Sequence, residues 1–342
     1  MGGSHGTFPH LVELFPCPGA IGGFTRYFLS SVKRKLPFIM KQKTALILRT
    51  TLAVFFTATA LLVASCKGDA EERHLLLIAG PDSHGPRAHN HEKGMQLFAR
   101  ELQAIDGLKV SVAINGWPED ESLVDQVDAI VFYADGLEGH PALQEDRLAH
   151  LNRRITEDGI GVGMVHFAVH VPVDDGSDEF KEWIGGHYES LYSCNPMWTA
   201  EFKEFPEHPI TTGVEPFEHH DEWYFNMRFR ENMEGVKPIL VATPSDETRD
   251  GPYVHPRGPY EHIQAAKGRE EVLMWAVERE DGGRGFGFTG GHYHEGWDVV
   301  SMRRLVLNAM LWVAEVDIPE GGAPFTISVE DSDAAGDAVP TS

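Results

Sequence analysis

The stretch His74-Leu-Leu-Leu-Ile-Ala79, closed by Gly80-Pro81, sets the fold of this chain. Consecutive apolar residues ended by a turn signal read as a strand buried on both faces. Downstream, Met95, Phe98, Leu102 and Ile105 recur at helical spacing and mark a helix over 91–105. A second strand follows at 110–114, a short helix at 119–127 and a third strand at 129–133. Leu148, Leu151 and Ile155 stripe the next helix, and 159–165 is a fourth strand. This alternation predicts an α/β domain with a doubly wound, mainly parallel sheet. From 171 to 235 the pattern loosens into turns, aromatic residues and short strands at 199–205 and 222–229. That change predicts an insertion over the C-terminal edge of the sheet. Returning strands are expected at 238–242, 272–277 and 284–289, with a last helix near 299–315.

The segment before this domain has a different character. Lys41, Lys43 and Arg49 precede an apolar run at 51–64, too short to span a bilayer comfortably and flanked like a secretory signal. The run ends in Val63-Ala64-Ser65-Cys66, which resembles a bacterial lipobox, with Cys66 as the acylated N-terminus of the mature protein. An uncleaved signal anchor is the alternative. Met40 stands directly before the basic stretch and reads as the true start, leaving 1–39 as an upstream extension. The expected organisation is therefore 1–65 extension and signal, 66–73 tether, 74–316 folded domain, and 317–342 an acidic, disordered tail. The mature portion carries 22 basic and 51 acidic side chains, an excess that disfavours nucleic acid as a partner. Membrane contact is expected only through the lipid on Cys66, at the cell envelope, facing the periplasm or exterior. Cys194 is the lone cysteine after residue 66, so no disulfide framework holds the fold.

Many of the 18 histidines sit just after the expected strands, where open α/β sheets bind ligands. Four groups stand out. The loop after the first strand carries His84, His89 and His91; a solvated polar loop is the plain alternative. Asp135 to Pro141, with His140, follows the third strand. His166 follows the fourth strand at the sharp turn where α/β enzymes mount a nucleophile, and imidazole suits a base or ligand there. Last, His219-His220-Asp221-Glu222-Trp223-Tyr224 joins His292-Tyr293-His294-Glu295. In an extended segment Asp221 and Glu222 point to opposite faces, so one enters the pocket, while His292 and His294 share a face and suit a metal. His166, His220 and His292 are the candidate ligands for a divalent ion such as zinc, although no specific metal motif occurs. Gly285, Gly287 and Gly290 match a dinucleotide-binding pattern, but so late in the chain they read as a strand entering a turn. No G-x-S-x-G and no Walker loop is present. Trp183, Trp198, Trp223, Trp297 and Tyr224 offer either sugar-stacking platforms or core packing.

Ser83-His-Gly, Gly139-His-Pro141, Gly163-Met-Val-His166, Gly185-Gly-His187, His208-Pro-Ile-Thr211, Asp221-Glu-Trp-Tyr224 and Gly291-His292 occur in an order that resembles the ThuA-like, trehalose-utilisation family over 74–316. The version His220-Asp-Glu-Trp-Tyr-Phe-Asn-Met-Arg-Phe229 resembles its exported members. The resemblance implies a flavodoxin-like, class I glutamine-amidotransferase-like fold and a role in disaccharide or oxidised-sugar catabolism. Amidotransferases carry a catalytic cysteine at the position His166 occupies here, so glutaminase chemistry lacks its nucleophile.

Three functions compete. In a sugar-processing lyase, isomerase or hydrolase, His166 or His292 is the general acid or base, positioned by Asp221 or Glu222. His84, His89, His140, His187, Trp223, Tyr224 and His294 then contact the sugar, with a divalent metal as an optional cofactor. A non-catalytic carbohydrate-binding lipoprotein would use the tryptophans as platforms. A metal-dependent hydrolase of another substrate would share the same pocket.

Overall fold

A computed structural model describes residues 72–326. The signal, lipobox and start-site expectations for residues 1–65 lie outside the described residues. The chain runs through β1 (Arg73–Ala79), α1 (His91–Leu102), β2 (Leu108–Ala113), a 3-10 turn (Glu121–Gln126), β3 (Ala129–Tyr133), α2 (Arg147–Thr156) and β4 (Gly161–Val165). It continues through α3 (Ser177–Trp183), β5 (Gly186–His187), β6 (Met197–Phe202), β7 (Phe217–Glu222), β8 (Arg228–Phe229) and β9 (Val236–Ala242). The short helices α4 (Asp246–Asp250) and α5 (Glu261–Gln264) precede β10 (Glu271–Glu278), β11 (Arg284–Phe288) and α6 (Val300–Val313).

Seven strands form one sheet in the order β2-β1-β3-β4-β11-β10-β9. All neighbours from β2 to β11 pair in parallel, and only β10 runs against its neighbours. This is the doubly wound, flavodoxin-like α/β arrangement expected. The unbroken apolar run of β1 follows from burial on both faces. Leu75, Leu77 and Ala79 join the core beneath α1 and α6, while Leu76 and Ile78 join the core beneath α2 and α3. β3 divides the same way, with Val131 and Tyr133 on the first face and Ile130 and Phe132 on the second. Covered by helices on both sides, the sheet can present a site only at its strand ends.

Several boundaries differ from expectation. The first helix stops at Leu102, where the Ala104 and Ile105 N–H groups turn to the i−3 carbonyls of Glu101 and Leu102, and the chain then enters β2 through Gly107, whose φ of 78° is left-handed. Ile105 still packs against the core from outside the helix. In the insertion, the strand expected at 222–229 is instead β7, which ends at Glu222, followed by the two-residue β8. β7 pairs with β6, and β8 with β5. The region expected to be a tail from 317 is in part packed: Ala323 is buried and its N–H donates to Asn308 Oδ1 at 2.8 Å. Residues beyond 326 lie outside the described ones. No described helix is long and apolar enough to cross a membrane.

Candidate active site

β1, β3, β4 and β11 are mutually parallel, so the segments following them meet at one rim. β1 and β3 also flank the point where the winding direction reverses, the crevice that binds ligands in open α/β sheets. The segment after β1 brings His84 and His89, that after β3 brings Asp135, β4 ends in His166, and β11 leads to His292. The end of β7, from the insertion, adds Glu222 and then Tyr224. His89, His166, Glu222 and His292 are respectively 1, 0, 3 and 9% exposed, burial that ionisable groups rarely reach without specific partners.

The ring nitrogens converge. His89 Nε2 lies 3.1 Å from His166 Nε2 and 3.1 Å from His292 Nδ1, and the last two are 3.3 Å apart. His89 Nδ1–H donates to Asp135 at 2.8 Å, and His166 Nδ1–H donates to the Thr289 carbonyl at 2.9 Å. Those bonds place the neutral-ring proton on Nδ1, so both Nε2 atoms point inward as acceptors. His292 Nδ1–H donates to Glu222 Oε2 at 2.6 Å. The Glu222 Oε1 atom accepts from Asn195 Nδ2 at 2.8 Å, and the Tyr224 hydroxyl donates to His166 Nε2 at 3.1 Å. Burial lowers the His89 pKa to about 4 despite Asp135, and lowers that of His166 well below the usual range, helped by the neighbouring imidazoles. Burial also raises Glu222 against the opposing pull of His292. One ligand atom from each of His89, His166, His292 and Glu222 falls within 4.8 Å of the others. At the solvent side, His84 rests on the His89 ring with centroids 3.9 Å apart, and its Nδ1 contacts Ser83 Oγ at 2.7 Å.

Local backbone explains why these residues face inward. His84, His89 and His166 have φ values of 66°, 46° and 55°, a left-handed region that histidine enters more readily than most L-residues. At His166 this turns the chain sharply out of β4 into a 3-10 turn, so the ring folds back over the strand end. Asp221 does different work from its neighbour. It is fully buried, and its carboxylate accepts from the backbone N–H of Gly291 at 2.7 Å and of His292 at 3.2 Å. It therefore positions the turn carrying His292, while Glu222 faces the imidazoles. Gly291 makes that turn possible: its φ is 100°, and a Cβ there would sit 2.7 Å from the buried Trp297 ring. Gly291→Ala is expected to cost about 1–3 kcal/mol, read as a lowered thermal midpoint; an unchanged melt would contradict this role.

Other expected site residues lie elsewhere. His140 is buried between Phe132 and Phe180, and its Nδ1 caps a 3-10 turn by accepting from Ala142 N–H at 3.0 Å. Burial drops its pKa to about 3, so folding keeps it neutral. The unfolded chain takes up that proton below about pH 6.5, so stability is full above that pH and falls towards pH 3. At pH 5 the loss is about 2 kcal/mol from this residue alone. His140→Gln should flatten the acid limb of the melting profile; an identical slope would rule this out. His187 is buried on β5 and its Nδ1–H donates to the Tyr188 carbonyl. His220 is exposed on β7 against Thr199, outside the cluster, and lines a separate cavity of about 1190 Å³ whose lining includes no cluster member. His294 begins a 3-10 turn, so it does not continue an extended segment and cannot share a face with His292. Trp223 is fully buried, with Nε1–H donating to the His219 carbonyl. Trp183 and Trp297 are fully buried core residues as well, while Trp198 lines the separate cavity beside His220 and not the histidine cluster. Cβ atoms on Gly285, Gly287 and Gly290 would strike Trp183, Trp275 and Trp223, so those glycines serve packing and not phosphate binding.

Two partners in the site carry no motif. Asp135 is the second residue after β3 and accepts from both His89 and Ser83 Oγ, the latter at 2.8 Å. Asn195 follows the buried Cys194 and steers Glu222. Position after a strand was the available signal for Asp135; nothing local marks Asn195.

The sheet and the turn after β4 define a doubly wound, flavodoxin-like α/β chain with a histidine at its strand-to-helix elbow. The trehalose-utilisation family model, ThuA, matches residues 80–313, and the chain belongs to that family. Among solved structures, a ThuA-like protein from Bacteroides uniformis is 18% identical, with a TM-score of 0.52, covering 75% of this chain and 96% of its own. A ThuA-like protein from Parabacteroides merdae is 17% identical with a TM-score of 0.47, covering 75% and 93%. PurLQS from Thermotoga maritima is 11% identical with a TM-score of 0.36, covering 71% and 98%. No curated protein matches the chain.

Proposed function

We propose that this protein is an exported enzyme that removes a proton from a carbohydrate beside a carbonyl carbon, acting as an isomerase or lyase on a keto-sugar. The observation carrying this reading is a buried site built from acceptors: two Nε2 lone pairs and the Glu222 carboxylate face one point, with the Tyr224 hydroxyl as the nearby donor. Such a site suits taking a proton from carbon and returning one to oxygen. In this step Glu222 accepts the proton, the C–H electron pair becomes a carbon–carbon π bond as the carbonyl π pair moves onto oxygen, and Tyr224 protonates that oxygen. His84, at the mouth, meets the sugar hydroxyls. Burying so many ionisable groups is costly and would serve no purpose in a passive binder, and the fully buried Trp183, Trp223 and Trp297 offer no stacking platform. Glutamine is not the substrate in this reading, because His166 stands at the elbow and Cys194 is buried, with its thiol pKa pushed well up. The family's association with trehalose utilisation supports a disaccharide or its oxidised derivative as the substrate class.

The test is product analysis of the protein from Cys66 onward with oxidised and ordinary disaccharides in deuterated water. Deuterium in recovered keto-sugar or product supports proton abstraction. Binding without turnover would favour a carbohydrate-binding protein, and simple hydrolysis of non-sugar substrates would favour a hydrolase; either outcome sinks this reading. We further propose that Cys66 carries the lipid that holds the protein at the cell envelope. Cys66→Ser should release it from the membrane fraction, and continued membrane retention would overturn the anchor.

A further inference from the structure

We propose that His89, His166 and His292 bind one divalent cation of the zinc class, which would polarise the substrate's carbonyl oxygen while Glu222 beside it takes the carbon-bound proton. This rests on reading the cluster as the catalytic centre. Three observations carry it. First, the Nδ1 protons of His89 and His166 are committed to Asp135 and Thr289, so their Nε2 atoms lie 3.1 Å apart with no ring proton between them, and the Tyr224 hydroxyl, 3.1 Å from His166 Nε2, would have to turn away for an ion to enter. Two acceptors at that distance repel unless something positive lies between them. Second, the three nitrogens form a nearly regular triangle with edges of 3.1, 3.1 and 3.3 Å. A tetrahedral ion with metal–nitrogen bonds of about 2.0–2.1 Å sets its ligand atoms about 3.3–3.4 Å apart. Third, the outer partners are those that metal-binding histidines use: a carboxylate on His89 and a backbone carbonyl on His166.

The donor set also selects the ion. Three imidazoles with no thiolate suit zinc, cobalt or nickel, and suit magnesium or calcium poorly. Three protein ligands leave one position open, as in catalytic zinc sites, where the ion polarises a bound oxygen. Glu222 Oε2 lies 2.6 Å from His292 Nδ1 but 3.7 Å from His166 Nε2, off the triangle's axis. When an ion takes the His292 Nδ1 lone pair, the ring proton sits on Nε2 instead, and that carboxylate is free to accept another proton. The neighbouring group of His84, His89 and Asp135 does not make a second site, because His89 Nδ1 and Asp135 already share a proton.

The experiment measures metal apart from turnover. Full-length protein purified without chelator is loaded with Zn²⁺, dialysed, and assayed by mass spectrometry for bound zinc; a Co²⁺ form is examined for the intense visible absorption of four-coordinate cobalt. Wild type should hold one zinc per chain. His166→Asn should lose it. Asp135→Asn, at a part-exposed position where folding is least at risk, should weaken zinc by about 10–100-fold in a chelator competition. Glu222→Gln should retain zinc. Wild type that fails to hold zinc, or Asp135→Asn and His166→Asn proteins that melt normally and bind as tightly, overturns the site. So does a Glu222→Gln protein that loses zinc as completely as His166→Asn. Zinc retained by a protein that processes no sugar leaves this site standing and defeats the proposed reaction instead.

Discussion

His166→Asn is expected to lower turnover by about 10²–10⁴-fold, while the thermal midpoint moves by no more than a few degrees. Asparagine is the informative replacement because it tolerates the left-handed backbone at φ 55°, where alanine would add strain to the loss of the ring. Its amide can still reach towards the Thr289 carbonyl that the imidazole Nδ1–H occupies, limiting the cost of an orphaned buried acceptor. What it cannot supply is an inward nitrogen at the Nε2 position, where His89, His292 and Tyr224 converge. Steady-state kinetics on the true substrate, with a melt on the same preparation, check both halves. Near-wild-type activity in a folded variant would remove the cluster from the chemistry.

Glu222→Gln is expected to lower turnover by about 10²–10⁴-fold with stability unchanged or slightly raised, because a buried carboxylate gives way to a neutral group of the same shape. The amide oxygen can keep the Asn195 bond, leaving the amide nitrogen towards His292, where no proton can be accepted. Glu222→Asp tests position separately from charge: the carboxylate remains but retreats by one methylene, enough to cost about 10²-fold. If glutamine at 222 retains more than a small fraction of activity, proton transfer belongs to another residue.

How far local pattern reaches is clear from particular elements. The double burial of β1 and β3 leaves continuous apolar runs, so the parallel sheet is legible before any coordinates. Histidines after strand ends are likewise visible, since parallel strands deliver their C-terminal loops to one rim. The insertion is harder to read. β7 carries the alternating Asp221 and Glu222, and alternation predicts opposite faces without saying which face meets the imidazoles. That choice comes from the docking of β6 and β7, which places Asp221 under the Gly291 turn. His140 and His187 occupy motif positions resembling those of His84 and His166, yet packing buries them as a cap and as a strand residue. The aromatic residues divide by side: Trp223 enters one core while Tyr224, one residue on, enters the other and reaches His166.

The order of apolar runs and turns by itself determined the sheet, its winding and the rim where chemistry gathers, because those features follow from period and burial along a local window. Only the tertiary structure decided which imidazoles meet, which carboxylate faces them and which tautomers they hold. Those depend on partners as remote as Asp135, Asn195 and Thr289, and hydrogen bonds across such separations leave no periodic trace in the chain.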